Sequence, residues 1–310
     1  MSSEQSRTGE WVGRSKAGRD KTAATRRFAL VILILTALLF EPRVVRSAEE
    51  NYGSLKHKLV QDGFSSRQVA LAFQSAPPPM FKLVCRTMKI RRGEANYDHF
   101  LAPSEIAAAR RFIADHRNCF RKAQRTYGVG PEIIAAILLI ETHFGSYTGK
   151  TPTLAVFSTF AVMDQKANRD KVWRMLSPQD RLKWEREAFD RKLLDRSAWA
   201  YGELSALLEL ENTYGIRPES LKGSVMGAIG WPQFLPSSLI KFGVAGNGGS
   251  SVDLYSAEDA IFSTANYLRA YGWCDARFPS DREAVIWNYN HSRAYVRAVL
   301  GIAERAARDE

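Results

Sequence analysis

The sequence predicts a mainly α-helical protein. Three observations carry that expectation. Apolar residues recur at helical spacing in most segments beyond residue 48, prolines and glycines punctuate those segments, and no stretch sustains two-residue alternation. With 310 residues, 45% of them hydrophobic, the chain can bury a large core as one domain or two smaller ones. The composition excludes collagenous and disordered classes.

Residues 1–48 read as a segment apart. They hold nine Lys/Arg against four acids, a net +5, which leaves +6 of the chain's +11 for the remainder. A basic stretch ends at Arg26-Arg27, the apolar run FALVILILTALLF follows from Phe28 to Phe40, and Pro42, Ser47 and Ala48 come next. This is the layout of an export signal. The run is short for a membrane-spanning helix. An uncleaved signal anchor is the alternative, since Arg46 sits awkwardly beside a cleavage site.

Residues 49–126 are expected to form an N-terminal helical region. Leu55, Leu59, Val69, Leu71 and Phe73 give an apolar helical face that stops at Pro77–Pro79, and KIRRGEANYDHFLAP reads as a polar connection. From Ser104, an N-cap type, Ile106, Ala109, Phe112, Ile113, His116 and Phe120 mark one long amphipathic helix towards Tyr127.

Residues 127–310 read as the core, with a charged insert at about 164–202. Pro131 opens a helix at its first turn, where its missing N–H costs nothing; Ile133, Ile134, Ile137, Leu138, Ile140 and Phe144 follow, and Gly145 stops it. The insert is rich in Lys, Arg, Asp and Glu, with Trp173, Trp184 and Trp199 among them, and reads as exposed helices. Its acids alternate with its bases, so no basic stripe survives and nucleic acid is not an expected partner. Lys222 to Gly249 is glycine-rich and loop-like; helices are expected over Ala257–Tyr271, ended by Gly272, and Ala294–Ala307, with Ser292 placed to cap it. Of the cysteines at 85, 119 and 274, no two have metal-ligand spacing; Cys85 and Cys119 could pair in an exported protein, and buried free thiols are the other reading.

Chemistry enters at ILLIETHFG. Glu141 follows Leu138 by three, Ile137 by four and Ile134 by seven, which puts it on the apolar face. Burial there raises a carboxyl pKa, and the negative end of the helix dipole pushes the same way. A carboxyl that keeps its proton near neutrality is what a general acid needs. A residue at the edge of the face reaching solvent is the other reading, and spacing leaves both open. Glu132, in the first turn of the same helix, needs no chemical role. Two further segments accompany it. KGSVMGAIGWPQFLPSS has glycines at 223, 227 and 230 that keep the backbone open to a flat ligand, polar groups at Ser224 and Gln233, and ring faces at Trp231 and Phe234; WNYNHS crowds Asn288, Tyr289 and Asn290 into a turn. No Ser-His-Asp ordering, zinc spacing or phosphate loop competes.

YGVGPEIIAAILLIETHFG, LKGSVMGAIGWPQFLPSS, DLYSAEDAIFSTANYLRAYGW and WNYNHS resemble, in order and spacing, the membrane-bound lytic murein transglycosylase B family, over roughly Tyr97 to Val299. The resemblance implies a lysozyme-like helical core and glycan strands of peptidoglycan as partner; the N-terminal segment gives an exported, periplasmic location, with inner-membrane anchoring by an uncleaved signal as the alternative. The implied reaction cuts the β-1,4 bond between N-acetylmuramic acid and N-acetylglucosamine without water, closing a 1,6-anhydro ring. By this resemblance Glu141 is the single catalytic residue, acid first and then base. Ser224, Gln233, Phe234, Tyr289 and Asn290 are implied to bind substrate, with no cofactor. A hydrolytic muramidase and a non-catalytic peptidoglycan-binding protein are the alternatives.

Two departures from the family pattern stand out. Some members hold calcium in a loop of alternating aspartates, whereas VAGNGGSSVDLY has Ala245, Asn247 and Gly249 where acids would be needed and leaves Asn247 and Asp253 as the plausible side-chain ligands. The family's basic pair for the stem peptide has no clear counterpart beyond Gln165 and Lys166, so no metal site is expected and peptide recognition is left open.

Overall fold

Apolar residues at helical spacing build this molecule, and six of the helices among the described residues open on proline. The computed structural model describes residues 42–89 and 96–308. The run Phe28–Phe40, on which the export reading rests, lies outside the described residues. Among those described, no helix is long and apolar enough to cross a membrane.

Three helices come first: α1 (Pro42–Gln61), α2 (Ser66–Phe73) and α3 (Phe81–Lys89). The face expected to run from Leu55 to Phe73 is in fact split between α1 and α2 by a turn at Gly63, and Leu71 is exposed. Next stand α4 (Pro103–Asp115) and α5 (Arg117–Tyr127). The single long helix expected here breaks at His116, whose φ of −106° and ψ of 23° leave the helical region. Ser104 is not the cap either, because Pro103 takes the first turn.

The centre of the fold is α6 (Pro131–Thr142), in which seven consecutive residues from Ile133 to Leu139 are buried. A helix apolar on every side belongs inside a core. Four neighbours surround it: α4, α5, α12 (Ala257–Ala270) and α14 (Arg293–Ala307). It ends through His143 and Phe144, both left-handed at φ 50° and 55°, before Gly145 at φ 83°.

The other half is organised by α7 (Thr153–Ala161), every residue of which is buried, and α10 (Arg186–Tyr214), which packs along it. Between them lie α8 (Lys166–Met175) and the one-turn α9 (Pro178–Arg181). The charged segment does not stop near residue 202; α10 carries it without a break through Gly202 to Tyr214. Two-residue strands, β1 (Thr151–Pro152) and β2 (Lys222–Gly223), pair antiparallel with Thr151 opposite Gly223. Four helices escape the sequence reading: α3 and α7, in stretches given no element, α11 (Pro236–Phe242) inside the expected loop, and α13 (Pro279–Tyr289) just before α14. The last two begin on proline, and all four are short. All three cysteines are free, with Cys85 buried and Cys274 exposed, so the Cys85–Cys119 pairing does not form.

Candidate active site

Glu141 is the penultimate residue of α6. It is half-buried, so part of its surface meets open space, yet the packing around its carboxyl is dense. Desolvation pushes its pKa from 4.5 up to about 7, opposed by a hydrogen bond from Tyr295. The Tyr295 hydroxyl, on α14, donates to Oε1 at 2.8 Å, and the tyrosine is fully buried. The sequence reading missed this partner. Its signal was present: Tyr295, Val299 and Ile302 form the i, i+4, i+7 inner stripe of α14.

Phenols crowd the carboxyl. Tyr295 stacks on Tyr289 with ring centres 6.4 Å apart and planes at 9°, and it meets Tyr97 edge-on at 5.6 Å. The pKa values of Tyr97, Tyr289 and Tyr295 all rise, chiefly by desolvation and further through Glu141's charge. The Asn290 side chain lies beside the Tyr97 hydroxyl and tempers the rise in its pKa. Asn290 and Tyr289, two of the expected binding residues, therefore border the acid directly or through one ring.

The glycine-rich segment is stitched to the end of α6. Thr142 Oγ1 donates to the Trp231 carbonyl at 2.9 Å and accepts the Gly145 N–H at 3.0 Å. A Cβ on Gly145 would stand 2.1 Å from the Trp231 ring, so the two segments touch. Gln233, itself left-handed at φ 51°, donates its amide to the Thr148 and Gly230 carbonyls at 3.3 and 2.9 Å. Tyr289 donates to the Pro232 carbonyl at 2.6 Å and so ties the segment to α13.

These bonds define what remains for a ligand. Ser224 Oγ accepts the N–H groups of Met226 and Ala228, which leaves its O–H to donate. Gln233 spends its N–H donors on carbonyls, which leaves its oxygen to accept. The Tyr289 hydroxyl has given its hydrogen to Pro232, which it holds in place, and towards a ligand it is left as an acceptor.

Two expectations fail. Phe234 offers no face to a sugar: it is 3% exposed and packed among Phe242, Tyr267 and Tyr289. Nor do the glycines clear a path for a flat ligand. A Cβ on Gly223 would meet the Ala228 carbonyl at 2.1 Å, and on Gly227, at φ 84°, the Phe157 ring at 2.4 Å. They let the chain fold against itself. Lys166 is paired with Asp170 at 2.8 Å, and Gln165 accepts a hydrogen bond from Asn168.

The loop before α12 is closed by its own carboxylate. Asp259, 5% exposed, accepts the Gly246 N–H at 2.8 Å on one oxygen and the Asp253 N–H at 2.7 Å on the other. Asn247 and Asp253 each turn an oxygen onto a backbone N–H, of Gly249 and Tyr255. Calcium wants about six to eight oxygens; here the side-chain oxygens face N–H donors, and the set does not fit that ion.

Residues 47–280 match the family described as the transglycosylase SLT domain. The membrane-bound lytic murein transglycosylase B of Escherichia coli (strain K12) is 30% identical over 174 residues, which is 56% of this chain and 40% of that protein. The chain thus spans less than half the length of this curated relative. Among solved structures, the Escherichia coli lytic transglycosylase SLT35 in complex with calcium superposes with a TM-score of 0.64 at 22% identity, covering 83% of this chain and 92% of that one. SltB1 of Pseudomonas aeruginosa, a soluble lytic transglycosylase, reaches 0.63 at 21% identity over 86% and 98%. SltB3 of the same organism, solved with NAG-anhNAM-pentapeptide, reaches 0.64 at 18% identity over 83% and 78%. At these identities the structural likenesses establish a shared fold.

Proposed function

The chain belongs to the transglycosylase SLT domain family, and from that membership we propose that it is a lytic transglycosylase of peptidoglycan. The bond cut joins N-acetylmuramic acid to N-acetylglucosamine. The observation that carries this reading is the pKa of Glu141, lifted to about 7 in a site walled by tyrosines.

In the first step neutral Glu141 gives its proton to the glycosidic oxygen as the bond from C1 breaks, and the leaving sugar departs as an alcohol. The substrate's own N-acetyl oxygen supports the positive charge at C1. In the second step the Glu141 carboxylate takes the C6 hydroxyl proton while that oxygen attacks C1. The anhydro ring closes, the acid is regenerated, and no water is consumed. Tyr295 keeps Oε1 aimed throughout. Ser224 donates to, and Gln233 accepts from, the acetamido group and nearby hydroxyls, and Asn290 completes the polar lining.

A hydrolase that works with a carboxylate pair needs a second carboxylate within about 5–10 Å of the acid; the side chain that hydrogen-bonds to Glu141 here is a phenol, Tyr295. The basic stretch and apolar run before residue 41 support export to the periplasm, by a cleaved signal or as an inner-membrane anchor.

Mass spectrometry of purified peptidoglycan digested by the protein tests the reading. Anhydro-ended fragments are expected, and Glu141→Gln should yield none. Fragments with reducing ends would replace the reaction proposed here with hydrolysis, and undiminished cleavage by Glu141→Gln would remove Glu141 from it.

A further inference from the structure

Helix α14 has two working sides. Its inner stripe carries Tyr295 to Glu141. Arg293 and Arg297 stand two positions either side of Tyr295, about 200° round the helix from it, and so point away from the acid. There they form one wall of a groove of about 510 Å3. Arg293, Val296 and Arg297 line it from α14, at i, i+3 and i+4; Ser280, Glu283 and Trp287 line it from α13, at i, i+3 and i+7. Each wall is therefore a single helix face, and the tight turn at Asn290–Ser292 holds the two together.

The chemistry of this groove is specific. Both guanidiniums are exposed, and among the described residues neither has a hydrogen-bond or ion-pair partner. One acid, Glu283, faces two cations, so the groove carries a net positive charge. Trp287 is 38% exposed and braced edge-on by the His291 ring at 5.5 Å. A planar guanidinium binds a carboxylate through two parallel hydrogen bonds, and two of them one helical turn apart suit two carboxylates on one short chain. The indole beside them suits an aliphatic side chain packed between those charges.

We propose that the α13–α14 groove is a docking site for a short peptide bearing free carboxylates, namely a peptide stem of the wall polymer. The assignment of that peptide to peptidoglycan rests on the function proposed above. The groove lies on the reverse side of α14 from Glu141, so the stem it holds is not the one at the bond being cut. It anchors the enzyme on the polymer while the acid works on a strand.

The test is calorimetric titration of the full chain with a synthetic stem pentapeptide, alongside the same peptide with every carboxylate amidated. The free-acid peptide should bind, the amidated one should lose about tenfold or more, and Arg293→Gln with Arg297→Gln should lose a similar factor. A conservative Arg297→Lys variant should recover part of the affinity, and unchanged melting curves would show that the variants fold. Equal binding by parent and variants, or by both peptides, overturns the proposal. So does capture of phosphatidylglycerol vesicles through the same arginines without peptide binding. In parallel, cleavage of peptide-free glycan should be the same in parent and arginine variants. If the parent fails to cut that glycan yet binds the peptide, the enzymatic reading falls and the groove stands.

Discussion

Two carboxylates in this molecule are driven in opposite directions. Glu141 closes the central helix among phenols and is pushed up to about 7. Asp170, on α8, lies between Lys166 and Arg186 and is pushed down to about 2 by their hydrogen bonds. Arg186 also binds Asp190, so the outer helices are latticed by paired charges in contact with water. Around Glu141 the neighbours are neutral rings and apolar side chains. What decides the fate of an acid here is therefore the company it is given, not its residue type. The proton is kept where that company is withheld.

The contrast can be broken or sharpened by substitution. The largest effect is expected at the acid itself. Glu141→Gln keeps the shape and the acceptor for Tyr295 but has no proton to give, and turnover of peptidoglycan should fall by about 10³-fold or more. Residual turnover near the parent's would erase the distinction between the two carboxylates.

Next comes Tyr295→Phe, which keeps the ring and removes the donor. Because that hydrogen bond lowers the carboxyl pKa, its loss should move the alkaline limb of kcat/KM from about 7 to higher pH. We expect kcat to drop by about tenfold through lost aim. A limb that stays put would mean that Tyr295 only packs.

A third expectation concerns stability and has the opposite sign. Unfolded, the glutamate ionises near 4.5; folded, it holds its proton until about 7. Between those values the folded state binds more protons, so stability falls as pH rises, and the whole cost stands above about 7. Glu141→Gln escapes that cost. It should be more stable than the parent by about 1–3 kcal/mol at pH 8 and level with it at pH 4, by urea denaturation.

The smallest effect belongs to Asp170→Asn. Its pairs with Lys166 and Arg186 are formed above the ordinary carboxylate range and lost as pH falls towards 2. Exposed pairs contribute little, so the melting temperature at pH 7 should move by about 2 °C or less, with cleavage unchanged. A marked loss of activity would show that the outer lattice reaches the site.

The acid was legible before the fold because a glutamate inside ILLIETHFG violates the local pattern, and a violated pattern in a core helix is itself a signal. Its partner was harder to read. Tyr295 is 154 positions away, and only folding brings α14 against α6. Helices α11 and α13 escaped because seven and eleven residues show too few turns for periodicity to emerge. Phe234 and the glycines of the loop were misread for a common reason. Ring faces and missing side chains describe equally well a surface open to a ligand and a chain packed on itself, and only burial separates the two.

Thr142 has one oxygen with two duties, giving its hydrogen to Trp231 and receiving one from Gly145. Serine could take over both duties, whereas valine, of almost the same shape, could perform neither. The glycine-rich segment and the helix that carries Glu141 therefore share a single fastener. A chimera that borrows either one from a cousin must bring this hydroxyl along, or the two halves will arrive out of step.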